Sequence, residues 1–274
     1  MNDGRIAAYL RRIGAGRPAV ADAEALRQLQ VRHLHTVPFE NLSIHLGEEM
    51  PLTDAAVHEQ VVDRRRGGIC YQLNGAFATL LRGLGFDVTP LSGRVVADGG
   101  PGLPYDHLVL LVTGAGLTEP WLADVGFGDH AHHPLRYDSR DEQADPAGTF
   151  RLAETADGDL ELLRDGKPQL VVEQRPRVLA DFEATCWYHR TSPLSHFTRS
   201  LVCSRFTEQG RVTLSGRTLK MTTAGRREVT ELPDEAAVLD AYRTHFGIEL
   251  DAEPRLSALS ALSAGAAAIR PPHP

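Results

Sequence analysis

Arg64–Gly75 reads RRRGGICYQLNG, and the run GAFATLLRGLGF carries it from Gly75 to Phe86. A cysteine stands behind arginines and a glycine pair, at the start of a segment with helical period. If a helix begins near Cys70, the thiol sits at the positive end of its dipole, beside backbone N–H groups that lack intrahelical acceptors. Such a setting favours the thiolate: cysteine pKa falls from about 8.5 to roughly 3.5–7.5, more so with a cation nearby. Gly67 and Gly68 allow a tight turn and a close backbone approach. Arg66 either lends charge to the sulfur or pairs with an acid, and Arg64 and Arg65 suit a solvated or salt-bridged face. Glycines often precede helices and cysteine is often a core residue, so this stretch alone fits a reactive thiol and a structural one equally.

Outward from Cys70 the chain divides by period. Upstream, Ile6, Tyr9, Leu10 and Ile13 recur at helical steps over Asp3–Ile13, and Gly14 stops them. Asp22 caps a second helix through His35, which Pro38 ends, and Thr53 caps a third from Asp54 to about Arg64. The helix near Cys70 closes at Gly85. Downstream, strands are expected at Asp87–Val96, His107–Val112, Trp121–Val125, Phe150–Glu154, Leu160–Leu163 and Gln169–Glu173, with turn signals such as ADGD and RDGK. A helical piece follows over Val178–Trp187. A meander is expected over Leu201–Thr207, Arg211–Leu214, Thr218–Thr222 and Arg226–Glu231, then a helix over Asp234–Gly247. The Ala/Ser/Pro-rich tail Ser257–Pro274 is expected to be loose at its end. Helices first, strands next, then strands with a helix predict an α+β protein with segregated parts.

The totals narrow the function classes. With 274 residues, 42% of them hydrophobic and 24% charged, the chain can bury a sizeable core without staples. A net charge of −7 argues against a general nucleic-acid binder. The opening MNDGRIAAYLRRIG has no apolar core, so no signal peptide is expected, and no run approaches the roughly 18 residues of a membrane span. An odd set of 3 cysteines, Cys70, Cys186 and Cys203, suits a reducing cytoplasm.

A cysteine nucleophile needs a base, and the base needs an acceptor that orients it. His107 opens HLVLLV after the turn-like GLPYD. Asp124 lies within WLADVGFG, where an unpaired acid among apolar residues would be costly to bury. If the two strands are neighbours, a Cys70–His107–Asp124 relay forms. Asp106, next to His107, either tunes it or ends the turn. His130, His132 and His133 (HAHH) read as a solvated loop, not a metal site, since no Cys or acid pattern accompanies them. Cys186 and Cys203 read as core. Glu40 and Asn41 are expected to make buried hydrogen bonds that hold Phe39.

The three relay residues, in this order and context, resemble the arylamine N-acetyltransferase family. RRRGGICYQLNG is similar to that family's RGGxCxxxN signature, VPFENL (Val37–Leu42) to its PFENL segment, and DHLVLLV and ADVGFG to the segments carrying its histidine and aspartate. The resemblance spans nearly the whole chain. It implies a helical domain over residues 1–86, a β-barrel domain over 87–190 and an α/β lid over 191–274. It implies Cys70 as the acetylated nucleophile, His107 as its base and ion-pair partner, and Asp124 as the group orienting His107. Phe39, Val95, Phe127 and Phe197 match positions lining the acceptor pocket, and Gly126 and Phe127 a loop near coenzyme A. Acetyl-CoA would be co-substrate, an arylamine or hydrazine the acceptor, and the reaction ping-pong in xenobiotic metabolism, with no metal. Ile69 and Gln72 depart from the residues most frequent in the family at those positions. Ansamycin-type amide synthases share the triad and close macrolactams from polyketide thioesters, so that reading stays open here. So do a CoA-independent amide hydrolase or transglutaminase-type enzyme and a silent binding protein. Nothing in the sequence decides between a monomer and a homo-oligomer.

Overall fold

A computed structural model of the chain describes residues 1–97 and 100–256. The tail expected to be loose, Ser257–Pro274, lies outside the described residues.

The N-terminal part is helical, as the period dictates. Helix α1 (Asp3–Ile13) buries Ile6, Tyr9, Leu10 and Ile13 and ends on left-handed Gly14, whose N–H returns to Arg11 and Leu10 carbonyls. Helix α2 (Ala23–Thr36) is capped by the Asp22 side chain on Ala25 N–H at 2.8 Å. A short strand β1 (Phe39–Glu40) and a single turn α3 (Leu42–His45) follow. Helix α4 (Asp54–His58) widens into a π turn over Glu59–Asp63, where the sequence predicts an unbroken helix. Helix α5 (Cys70–Gly83) is buried along almost its whole length, from Cys70 through Leu81.

Strands β2 (Asp87–Ala97), β3 (Gly100–Pro101), β4 (His107–Thr113), β5 (Trp121–Ala123), β6 (Leu135–Arg136), β7 (Gln143–Asp145), β8 (Gly148–Glu154), β9 (Leu160–Arg164) and β10 (Lys167–Pro176) form one antiparallel sheet. Its order is β6-β5-β4-β2-β10-β9-β8-β7, with β3 on β2. The two end strands meet through a side chain: Gln143 accepts Arg136 N–H at 2.7 Å and donates to Arg136 C=O at 3.1 Å. That amide stands in for a backbone unit and brings the sheet close to a barrel. Alternation fills the interior, with Phe150 and Leu152 from β8, Leu160 and Leu162 from β9, and Leu170 and Val172 from β10 all buried. RDGK turns β9 into β10 with φ of 50° at Asp165 and 74° at Gly166, the pair of positive angles a tight hairpin of right-handed twist requires.

Helix α6 (Glu183–Thr191) and the turn α7 (His196–Arg199) lead into a second sheet. Strands β11 (Cys203–Thr207), β12 (Gly210–Ser215), β13 (Thr218–Thr223) and β14 (Arg226–Glu231) run in a meander, and β1 joins β11 at its edge. Helix α8 (Glu235–Ala241), capped by Asp234, lays Val238 and Ala241 on Cys203, Val212 and Leu214 of that sheet. The architecture is α+β, with a helical N-terminal part, a nearly closed antiparallel barrel and a C-terminal α/β part. Among the described residues no helix is long and apolar enough to cross a membrane.

Candidate active site

Helix α5 starts at Cys70 because the chain before it is pinned. Glu40 on β1 accepts Arg66 twice, at 3.0 and 3.2 Å, and also takes the N–H groups of Leu42 and Gly67. The pair is buried, so the Arg66 charge goes to Glu40 and not to the sulfur. Arg64 is salt-bridged to Glu48 at 2.5 Å. A side chain on Gly67 would collide with the Pro38 carbonyl, and one on Gly68 with Gln72. These glycines serve close approach, and the left-handed residue of the turn is Arg65, φ 52°. Gln72 reaches back to accept Ile69 N–H at 3.1 Å, closing the helix start in place of a Ser or Asp cap.

Four residues along α5, Asn74 shares a face with Cys70. Its amide donates to Leu108 C=O on β4 at 2.6 Å and to Asp124 Oδ1 at 2.8 Å, and accepts Val125 N–H at 2.9 Å. One side chain thereby joins helix α5, strand β4 and the loop after β5. Asp124 sits just past β5, which ends at Ala123 and not at Val125, and its Oδ1 also takes Gly126 N–H at 2.8 Å. Its backbone N–H meets Gln30 of α2 at 3.3 Å.

His107 opens β4, and β4 pairs with β5, so the expected strand neighbours are neighbours. His107 Nε2 lies 2.7 Å from Asp124 Oδ2, and the Cys70 sulfur lies near enough to the imidazole to favour its charged form. With Nε2 turned to the carboxylate, Nδ1 is the nitrogen left for the thiol. Cys70 and His107 are each 3% exposed and Asp124 8%. Burial alone would push His107 down, but the Asp124 carboxylate and the Cys70 sulfur outweigh it and hold the imidazole well above 6.5. Burial likewise works to raise Asp124, and His107 and Asn74 hold it below its ordinary value instead.

The profile of a family described as N-acetyltransferase matches residues 22–255. An arylamine N-acetyltransferase of Mycolicibacterium smegmatis is 37% identical over 253 residues, 88% of this chain and 91% of that protein. The chain belongs to the arylamine N-acetyltransferase family. The solved M. smegmatis arylamine N-acetyltransferase superposes with a TM-score of 0.83 at 36% identity, over 91% of this chain and 93% of that one. The Mycobacterium marinum arylamine N-acetyltransferase, solved in complex with CoA, gives 0.80 at 34% identity, over 89% and 92%.

In this family member the remaining predicted site residues fall into two groups. Phe127 meets His107 edge to face at 5.2 Å and packs with Val95 against the barrel interior. Phe39 and Phe197 lie 6.1 Å apart on the helical side. Gly126 lies against Cys70: a Cβ there would stand 2.7 Å from Cys70 Cα and 2.7 Å from the Asn74 amide nitrogen. Glu40 and Asn41 do make buried bonds, and those of Asn41 run to Phe197 C=O at 2.9 Å and Ser200 C=O at 2.6 Å.

The HAHH segment is not a solvated loop. His130 is buried with its ring against Phe127 and Phe150, and burial pushes its imidazole down to about 4, while His132 and His133 are half-buried. Phe127 and Phe150 supply the apolar faces that a lone histidine seeks when it is not a ligand. Cys186 and Cys203 are buried, and burial raises Cys186 to about 12. The sequence assigns no role to Asn74, Gln30 or Tyr71, and it gives Glu40 buried bonds and Arg66 an acid partner without naming them as one pair. An amide four residues after Cys70 on a wholly buried helix face is the signal that finds Asn74.

Proposed function

We propose that the chain transfers an acetyl group from acetyl-CoA to an arylamine or hydrazine through an acetyl-cysteine on Cys70. His107 takes the thiol proton, and the Cys70 thiolate adds to the thioester carbonyl. N–H groups at the start of α5 stabilise the tetrahedral oxyanion, an effect worth a few kcal/mol in such sites. The C–S bond to CoA breaks, and CoA leaves with a proton from His107. The amine then adds to the acetyl-cysteine, His107 takes its proton, and the Cys70 sulfur leaves. Asp124 keeps His107 in the tautomer and orientation both half-reactions need. Gly126 and Phe127 approach the CoA, and Phe39, Val95, Phe127 and Phe197 take a flat acceptor by area burial and stacking.

The observation that carries this is the buried contact chain from Cys70 through His107 to Asp124 at a helix start. The CoA complex of the M. marinum relative supports the donor. The test is thiol release from acetyl-CoA with and without a simple arylamine, on wild type and Cys70→Ala. Amine-dependent release that vanishes in the variant is the expected result. Near-normal turnover by Cys70→Ala would sink the proposal. No release from a wild type whose Cys70 alkylates rapidly would keep the nucleophile and replace the donor, with a polyketide thioester tested next.

A further inference from the structure

Beside the relay lies a second histidine–carboxylate pair that the proposed reaction does not use. His189 of α6 places Nε2 3.1 Å from Asp106 Oδ1, and its Nδ1 lies 3.2 Å from Ser195 Oγ. Ser195 Oγ also accepts Phe197 N–H at 3.2 Å and so caps α7. Nε2 thus faces the carboxylate and Nδ1 the hydroxyl. Ser, His and Asp follow one another as in a hydrolytic relay. Ser195, however, is buried and its oxygen already bonds His189 and Phe197, so it is a strut.

The strut ends at the nucleophile. Asp106 C=O lies 3.9 Å from Cys70 Sγ, and the next residue is His107. Tyr71, the residue after Cys70, donates its hydroxyl to Tyr105 C=O at 2.8 Å and to Asp106 C=O at 3.2 Å. Asp106 Oδ2 takes Val95 N–H at 3.2 Å. The turn these bonds hold is strained, because Tyr105 carries φ of 60°, a conformation that a bulky residue rarely adopts. Arg177 sits 4.9 Å over the Tyr105 ring, and Thr185 of α6 donates to Pro104 C=O at 3.0 Å. Strain of this kind persists only where its surroundings over-determine it, and here it lies two residues before His107.

We infer that Asp106 and His189 are positioning residues for the acetyl transfer proposed above, holding Cys70 and His107 in register through the strained turn at Tyr105. The turn at Asp106 and its pair with His189 tie four elements to one point: α5 through Tyr71 on the backbone carbonyls, β2 through Val95, and α6 with α7 through His189 and Ser195. Phe197 shares the same anchor, with its ring edge-on to His189 at 5.1 Å. The titratable groups beside Asp106 and His189 are His107, Cys70, Tyr71, Tyr188 and His196.

The test compares wild type, Asp106→Asn and His189→Gln by the rate of Cys70 alkylation with iodoacetamide across pH, by melting temperature, and by kcat and KM for acetyl transfer. Asp106→Asn is expected to slow alkylation at neutral pH roughly tenfold and move its pH profile, because small misplacements near reacting atoms cost one to two orders of magnitude. His189→Gln, which keeps a donor, shifts both in the same direction by less. The transfer loss falls on kcat and not on the KM for acetyl-CoA. A lower melting temperature with an unmoved alkylation profile makes the pair merely structural and overturns the inference, as does a wild-type profile in both variants. If Asp106→Asn does not fold, Ser195→Ala reads the same network from its far end, and an unmoved profile there overturns it too. Alkylation needs no acetyl donor, so failure of acetyl transfer in wild type is distinguishable from failure of positioning.

Discussion

Replacing Asn74 by alanine removes the amide that joins helix α5, strand β4 and the loop after β5. The Leu108 carbonyl, the Val125 N–H and one of two bonds to Asp124 Oδ1 lose their partner, while Gly126 N–H stays on that oxygen. A buried group left unpaired costs about 1–3 kcal/mol. Two orphaned backbone groups and a half-served carboxylate oxygen place the loss at about 4 kcal/mol, within the roughly 5–15 kcal/mol of a folded protein. The protein should therefore stay folded and melt about 10 °C lower. Asp124 is freed to turn, His107 loses its orientation, and Cys70 alkylation should slow roughly a hundredfold. Asn74→Asp should do no better, since it lacks the donors and faces Asp124 with like charge. Urea unfolding with parallel alkylation measures both quantities. A stability loss below about 1 kcal/mol with unaltered thiol reactivity would refute the claim that this amide joins the three elements.

Gly126→Ala puts a methyl against Cys70 Cα, which is backbone and cannot step aside, so acetyl transfer should fall roughly a hundredfold with a stability loss of about 1–3 kcal/mol; a crystal structure with Cys70 unmoved would contradict this. Glu40→Ala leaves the buried Arg66 guanidinium only Glu48, at 3.4 Å, and frees the Leu42 and Gly67 N–H groups, so it should cost about 3 kcal/mol in urea unfolding, far more than the exposed Arg17–Asp3 bridge. His107 is raised above 6.5 in the folded state, despite the opposing burial, by Asp124 and Cys70, so its contribution to stability is present below 6.5 and lost as pH rises through the folded value. The melting temperature of wild type should thus decline with pH above 6.5 more steeply than that of His107→Gln, and parallel curves would exclude it.

Local pattern carried much of this in the sequence. The start of α5 at Cys70 was legible because glycines, a cysteine and a buried helical run follow one another within about twenty residues. His107 and Asp124 were legible as an apolar strand with a polar first residue and an acid that needs a partner. What escaped depends on groups far apart in the chain. Asn74 meets Leu108 and Asp124, and Asp106 meets His189 eighty-three positions away. Burial of His130 escaped because it depends on Phe150, beyond two further strands in the chain, whose ring lies 4.8 Å from it. The π turn at Glu59–Asp63 escaped because an apolar stripe reads the same whether the turn holds four residues or five.

Cys70 begins a helix, His107 begins one barrel strand, and Asp124 follows another. None of these elements owns the chemistry. A helical half folded alone would carry the cysteine without its histidine, and a barrel alone a histidine and acid without the thiol. The reactivity proposed for Cys70 is therefore a property of docking, and during refolding it should emerge last, after helix content and barrel structure have both recovered. The thiol is a built-in reporter of complete assembly, and no half-assembled species can begin a transfer it has no means to finish.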